Sequence, residues 1–135
     1  MKVFINDIEL NDQQLYPIKL FGSTKPIIKS NIDPKKIYTI MIVDEDAPTK
    51  SNPINKYWIH LLLINNKTII FDYIPPNPPA NSGPHRYHVL VYEQPNQIDK
   101  SNITINSRPK FDLDKFVSIH KLKLFDKFMF LVERK

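Results

Sequence analysis

Residues 74–94 read IPPNPPANSGPHRYHVLVYEQ, and the change of character at His85 decides how the chain is read. Five of the eleven residues from Ile74 to Pro84 are proline. Proline fixes φ and removes a backbone donor, so this stretch cannot be an interior strand. Immediately after it, His85–Glu93 (HRYHVLVYE) predicts a strand. The adjacency implies a stiff, defined loop beside a sheet end. Further out, Ile37–Val43 (IYTIMIV) predicts a strand buried on both faces, and Tyr57–Ile64 (YWIHLLLI) a second. Lys67–Tyr73 (KTIIFDY) follows across the turn-like Asn65-Asn66, and Lys127–Glu133 (KFMFLVE) predicts a last strand. Val3–Ile5 and Ile27–Ile28 are weaker candidates. One helix is expected, capped by Asp112 or Asp114, with Phe116, Ile119 and His120 on one face and an end among Lys121 and Lys123. Strand runs dominate, and the connections are too short for repeated βαβ units. Twelve prolines against two glycines also disfavour long helices. The expected class is mainly β, mostly antiparallel, with a C-terminal helix.

With 135 residues the chain predicts one domain, 1–135, large enough to hold its own core. It has no cysteine, which excludes a disulfide scaffold, a thiolate metal site and a cysteine nucleophile. Hydrophobic residues at 41% and charged ones at 24% fit a globular domain. The apolar run Ile59–Ile64 is broken by His60 and is far below the ~20 residues of a membrane span. The start, MKVFINDIEL, does not resemble a signal peptide, and the expected location is cytoplasmic. Lys, Ile and Asn make up 47 of 135 residues, a bias that fits a compact AT-rich genome, viral or parasitic, more than a fold. The net charge of +5 lies wholly in residues 100–135, which carry nine basic and four acidic side chains. Its lysines are dispersed, which reads as solvated surface and not as a nucleic-acid face. Peripheral contact with an anionic membrane stays open on this charge.

Polar residues at three strand ends form the candidate site. Asp44 closes the run Ile37–Val43, on the face of Tyr38, Ile40 and Ile42 by alternation. Trp58, His60 and Leu62 share a face of the second run, and an imidazole there needs a partner. His85 and Tyr87 share a face just after the proline loop. If these ends converge, they make a pocket with one carboxylate, two imidazoles and a phenol. The imidazoles and the phenol can donate to an anion, and the carboxylate can orient an imidazole or meet an amine. Prolines and Trp58 would supply stiff apolar walls. Such a pocket suits a phosphate or a phosphomonoester with an amine tail.

These residues carry a family resemblance. Asp44-Glu45-Asp46-Ala47-Pro48-Thr49, Tyr57-Trp58-Ile59-His60-Leu61 and Pro78-Pro79-Ala80-Asn81-Ser82-Gly83-Pro84-His85-Arg86-Tyr87 resemble signature elements of the phosphatidylethanolamine-binding protein family, which includes Raf kinase inhibitor protein. Arg108-Pro109-Lys110-Phe111 and the helix after it resemble its closing segment. The resemblance covers roughly residues 26–133. It implies a central antiparallel sheet packed on a smaller one, with an anion pocket at one end. Carried over, the ligand-binding set is Asp44, Pro48, His60, Pro79, His85 and Tyr87, supported by Asp46, Trp58 and Arg86. It also implies a cis Ala47-Pro48 bond. A bidentate Arg86 pair with Asp46 or Asp44, clamping the loop, is inferred from the chemistry. Three departures stand out: Glu45 in place of proline, expected to add unfavourable charge beside the pocket; Ile59 in place of a histidine; and Asn81 in place of a glycine.

The leading functional expectation is a non-enzymatic regulatory binding protein without cofactor or metal. Its ligand would be phosphate, a phosphoethanolamine-like molecule or a phosphorylated group, and its partner a kinase, a protease or another signalling protein. One alternative is inhibition of a kinase or protease through the protein surface. A second is an acid–base or metal enzyme built on His60, His85 and Asp44.

Overall fold

A computed structural model describes residues 1–135. Its strands are β1 (Lys2–Ile5), β2 (Ile8–Glu9), β3 (Leu15–Pro17), β4 (Ile27–Lys29), β5 (Ile37–Asp44), β6 (Trp58–Ile64), β7 (Thr68–Phe71), β8 (His85–Gln94) and β9 (Lys123–Glu133). One helix, α1 (Leu113–Ile119), precedes β9. The strands form a six-stranded sheet in the order β3-β9-β8-β5-β6-β7 and a three-stranded sheet in the order β2-β1-β4.

The apolar run of β5 places it inside the large sheet, antiparallel to β6 on one side and to β8 on the other. Both of its faces are covered, as continuous β-branched sequence requires. On one face Ile42 packs with Leu61, Tyr87, Val89 and Phe130 beneath Val3 and Ile5 of the small sheet. On the other, Met41 and Val43 join Ile59, Leu62 and Ile64 under Leu113, Phe116 and Phe111. The smaller sheet therefore lies on one face of the large one, and α1 with its preceding loop covers the other.

The antiparallel order brings the site together. A strand's antiparallel neighbours begin where it ends. Asp44, the last residue of β5, accordingly pairs with Trp58 at the start of β6 and with Tyr87 near the start of β8.

Alternation on β6 departs from the sequence expectation. A bulge between Ile42 and Val43 pairs Ile42 with Leu61 but Val43 with Ile59, leaving His60 as the extra residue. Ile59 and Leu62 therefore share one face, while Leu61 lies on the other. The expectation that Leu62 shares a face with His60 fails for this reason, because a bulge resets the period-two pattern. The helix also differs. Asp112 is its cap, accepting from the Lys115 amide, and its buried residues are Leu113 and Phe116. Ile119 is exposed, His120 caps the end, and Lys123 already belongs to β9.

Two strands were not foreseen. β2 has two residues and β3 three, too few for a periodic signal. β3 runs parallel to the C-terminal half of β9, with Tyr16 against Val132.

Phe130 of β9 stacks on Tyr87 at 5.5 Å and on Phe21 at 5.5 Å, linking the sheet end to the core. Phe130→Ala should cost about 3–5 kcal/mol in denaturant unfolding, because it opens a cavity under Tyr87. Ile119→Ala, on the exposed helix face, should stay within ~0.5 kcal/mol.

Candidate functional site

The end of β5, the starts of β6 and β8, and the proline loop enclose a cleft of about 380 Å³. Its walls include Pro48, Trp58, His60, Pro79, His85 and Tyr87, together with Ala47, Asn55, Ile74, Pro75 and Asn77. Of the residues expected to hold a ligand, only Asp44 is off the wall. It lies buried behind His85, whose Nδ1 is 2.8 Å from Asp44 Oδ2. Its other oxygen accepts the Asp46 amide at 2.8 Å.

The support around the loop is bidentate, as the chemistry predicts. Arg86 Nε and Nη2 donate to the two Asp46 oxygens at 2.9 and 2.8 Å, and the Arg86 amide donates to Oδ2 at 2.8 Å. The guanidinium holds the Asp46 carboxyl below the usual range, against a burial cost that acts the other way. Ala47-Pro48 is cis, and so is Lys56-Tyr57. Asn81 takes φ 64°, the left-handed conformation that asparagine tolerates where the family pattern has glycine.

Glu45 corrects the expectation made for it. Its side chain meets His88 Nε2 at 2.6 Å, Arg86 Nη1 at 3.3 Å and Lys56 Nζ at 3.6 Å. Residues 86 and 88 point to the sheet face opposite 85 and 87, so the Glu45 charge is neutralised away from the cleft.

Hydrogen-bond partners assign the imidazole protons. His60 Nδ1 is 2.8 Å from the Ile74 carbonyl oxygen, which only accepts, so Nδ1 carries hydrogen. Burial lowers the pKa of His60 to about 4, against smaller raising effects of that carbonyl and of Asp44. The ring is therefore neutral near pH 7, and its Nε2 is a lone pair. The expectation of two donating imidazoles is corrected at this ring.

His85 is held at both nitrogens. Ser82 Oγ donates to the Pro79 carbonyl at 2.6 Å, which uses its single proton. His85 Nε2, 2.9 Å from the same oxygen, then donates to it. His85 Nδ1 faces the Asp44 carboxylate on the other side of the ring.

Rings continue from the cleft into the core. Trp58 and His60 lie 4.7 Å apart, His60 meets Tyr87 edge-on at 5.1 Å, and His85 stacks on Tyr87 at 6.4 Å. Burial, then the charge of Asp44, pushes the Tyr87 phenol far up, so its hydroxyl keeps its proton. Arg108 sits 5.7 Å from the Trp58 ring and donates to the carbonyls of Ile59 and Asp72. Arg134 donates to the Pro78 carbonyl at 3.0 Å and to Asn77 Oδ1, pinning the proline loop from β9's end.

Asn55, Asn77 and Ser82 were not singled out as site residues from sequence. Asn55 and Asn77 lie in loops without a periodic signal. For Ser82 a local cue existed, since its spacing to His85 allows contact across the Asn81-Gly83 turn.

Comparison with known proteins agrees with this architecture. The phosphatidylethanolamine-binding protein family model matches residues 64–126. A Drosophila melanogaster protein with the provisional name odorant-binding protein A5 is 30% identical over 130 residues, covering 87% of this chain. The chain spans 61% of that relative's length. Among solved structures, a carboxypeptidase Y inhibitor in complex with its cognate proteinase superposes with a TM-score of 0.82 at 24% identity, over 99% of this chain and 82% of that one. A phosphatidylethanolamine-binding protein from Plasmodium vivax gives 0.74 at 17% identity, over 98% and 85%. The fold is a two-sheet β architecture with a cleft at one end of the larger sheet. Over residues 64–126 the chain is similar to the phosphatidylethanolamine-binding protein family, and its fold is that of a solved phosphatidylethanolamine-binding protein. No helix in the chain is long and apolar enough to cross a membrane.

The His60 assignment fixes a pH dependence. Its folded pKa of about 4 lies below the unfolded value of 6.5, so between these limits the unfolded chain binds more protons. Stability should therefore rise with pH from 4 to 6.5, by up to about 3 kcal/mol, and gain nothing further from His60 above that. Its ring C–H resonances should not titrate above pH 5; a midpoint near 6.5 would contradict the assignment.

Proposed function

We propose that residues 1–135 act as one small regulatory binding domain whose cleft takes a phosphoryl group. The ligand would be phosphate, a phosphoethanolamine-like molecule or a phosphorylated partner protein. The observation that carries this reading is the convergence of His85, His60 and the Tyr87 hydroxyl on one proline-walled cleft. Asp44 acts through His85, setting its ring and supplying the acceptor for Nδ1. Pro48, Pro79 and Trp58 exclude water from the walls, which strengthens each polar contact inside. The Arg86–Asp46 clamp holds the loop that carries Pro48.

This reading is of binding and not of catalysis. Ser82, His85 and Asp44 have the connectivity of a hydrolase triad. The donor order argues against that role: the Ser82 proton goes to Pro79, and His85 donates to Ser82 where a base would accept. A nucleophile needs the reverse order.

A second reading is inhibition of a protease through the protein surface. The likeness over 99% of the chain to an inhibitor bound to its proteinase favours it. In that case peptidase inhibition would be the same for wild type and for cleft variants.

An amide NMR titration with O-phosphoethanolamine and inorganic phosphate tests the first reading. Saturable shifts should centre on His60, His85 and Tyr87. Tyr87→Phe keeps the stacked ring and loses one donor, so affinity should drop roughly tenfold to a hundredfold while the fold is unchanged. Unchanged affinity removes the role of Tyr87; no shifts at millimolar ligand favour the surface inhibitor.

A further inference from the structure

The cleft offers few free polar atoms, and their donor or acceptor character can be assigned. His60 Nδ1 is committed to the Ile74 carbonyl and burial keeps the ring neutral near pH 7, so Nε2 accepts. No buried side-chain nitrogen or oxygen lacks a partner in this protein. His60 Nε2 has no protein partner, so it must reach the open cleft. The Tyr87 hydroxyl has Asp44 as its acceptor within the protein and lines the same cleft, where an anionic oxygen would compete for its proton.

The groups around His60 are Asp44 from β5, His85 and Tyr87 from β8, the Ile74 carbonyl after β7 and Arg108 from the segment before α1, with Tyr73 near Tyr87. Asp44 and His85 form a pair. Arg108 is held by the carbonyls of Ile59 and Asp72 and lies against Trp58 and Phe71. Tyr73 is a protonated phenol, its pKa pushed by burial up to about 12. No uncompensated cation therefore points at His60 Nε2. A fully ionised phosphate would bring two negative charges and only acceptors against a lone pair. A protonated phosphate brings one negative charge and a hydroxyl that donates.

We propose, building on the phosphoryl reading, that the cleft selects the singly charged, protonated form of a phosphomonoester or of phosphate, with its P–OH donating to His60 Nε2 and Tyr87 donating to an unprotonated oxygen. His60 is then a specificity-determining residue, reading the ligand's proton. The same contact rejects phosphodiesters, which carry one charge but no P–OH.

The test measures affinity by NMR from pH 5.5 to 8 for four probes: inorganic phosphate, O-phosphoethanolamine, methylphosphonate and dimethyl phosphate. Phosphoethanolamine affinity should fall above its second ionisation near pH ~6, approaching tenfold per pH unit. The midpoint should move upward for methylphosphonate, whose second proton leaves at higher pH. Dimethyl phosphate should bind at least about tenfold more weakly than phosphoethanolamine at pH 5.5. A midpoint shared by all ligands means that a protein group titrates, and overturns the proposal. So does equal binding of the diester. Strong pH-independent binding of phosphoethanolamine without binding of inorganic phosphate would assign the His60 contact to the ammonium, and also overturns it. Failure of all four probes at every pH removes the phosphoryl reading itself, an outcome distinct from the others.

Discussion

The contact on which the site depends is the 2.8 Å bond between Asp44 Oδ2 and His85 Nδ1, both buried. It joins the last residue of β5 to the first of β8. A carboxylate and an imidazole taken out of water cost several kcal/mol unless each polar atom is satisfied. Here Asp44 also receives the Asp46 amide, and His85 also meets Ser82. Ser82 in turn reaches Pro79, so the chain of bonds runs from the sheet end into the proline loop. One buried pair thereby fixes two strand ends and the loop that walls the cleft. Removing either partner would leave the other buried and unpaired, a larger loss than the pair's own net contribution.

Beneath this polar layer the support is aromatic. His85, Tyr87, Phe130 and Phe21 lie in a continuous stack from the cleft to the small sheet. The polar site therefore shares its rigidity with the core, where packing leaves few alternative rotamers. Such seating favours a pre-formed cleft, whose ligand need not order the loop on arrival.

Much of this arrangement was legible in the sequence, for a physical reason. Continuous β-branched runs with short connections can hardly form anything but an antiparallel sheet. Antiparallel order then brings Asp44, Trp58 and Tyr87 to one end without knowledge of any contact. The Arg86–Asp46 clamp was legible because few partners can satisfy a guanidinium near two aspartates. What escaped reading depends on events that pattern does not encode. β3 pairs with a strand more than a hundred residues away. The bulge at His60 reverses the alternation that would have put Leu62 beside it. The Ile74 carbonyl makes His60 an acceptor, though its residue type allowed a donor. Glu45 looked like pocket charge until Arg86, Lys56 and the His88 imidazole accounted for it.

Proton placement is therefore the central claim, because it decides what the cleft can recognise. Ring ¹⁵N chemical shifts of His60 and His85 in the free protein at pH 6 test it most directly. The account predicts a neutral His60 with hydrogen on Nδ1 and a bare Nε2, and a His85 with hydrogen on the Nε2 that faces Ser82. Hydrogen on His60 Nε2, or a bare Nε2 on His85, would contradict it and would return Ser82 and His85 to consideration as a nucleophile and its base.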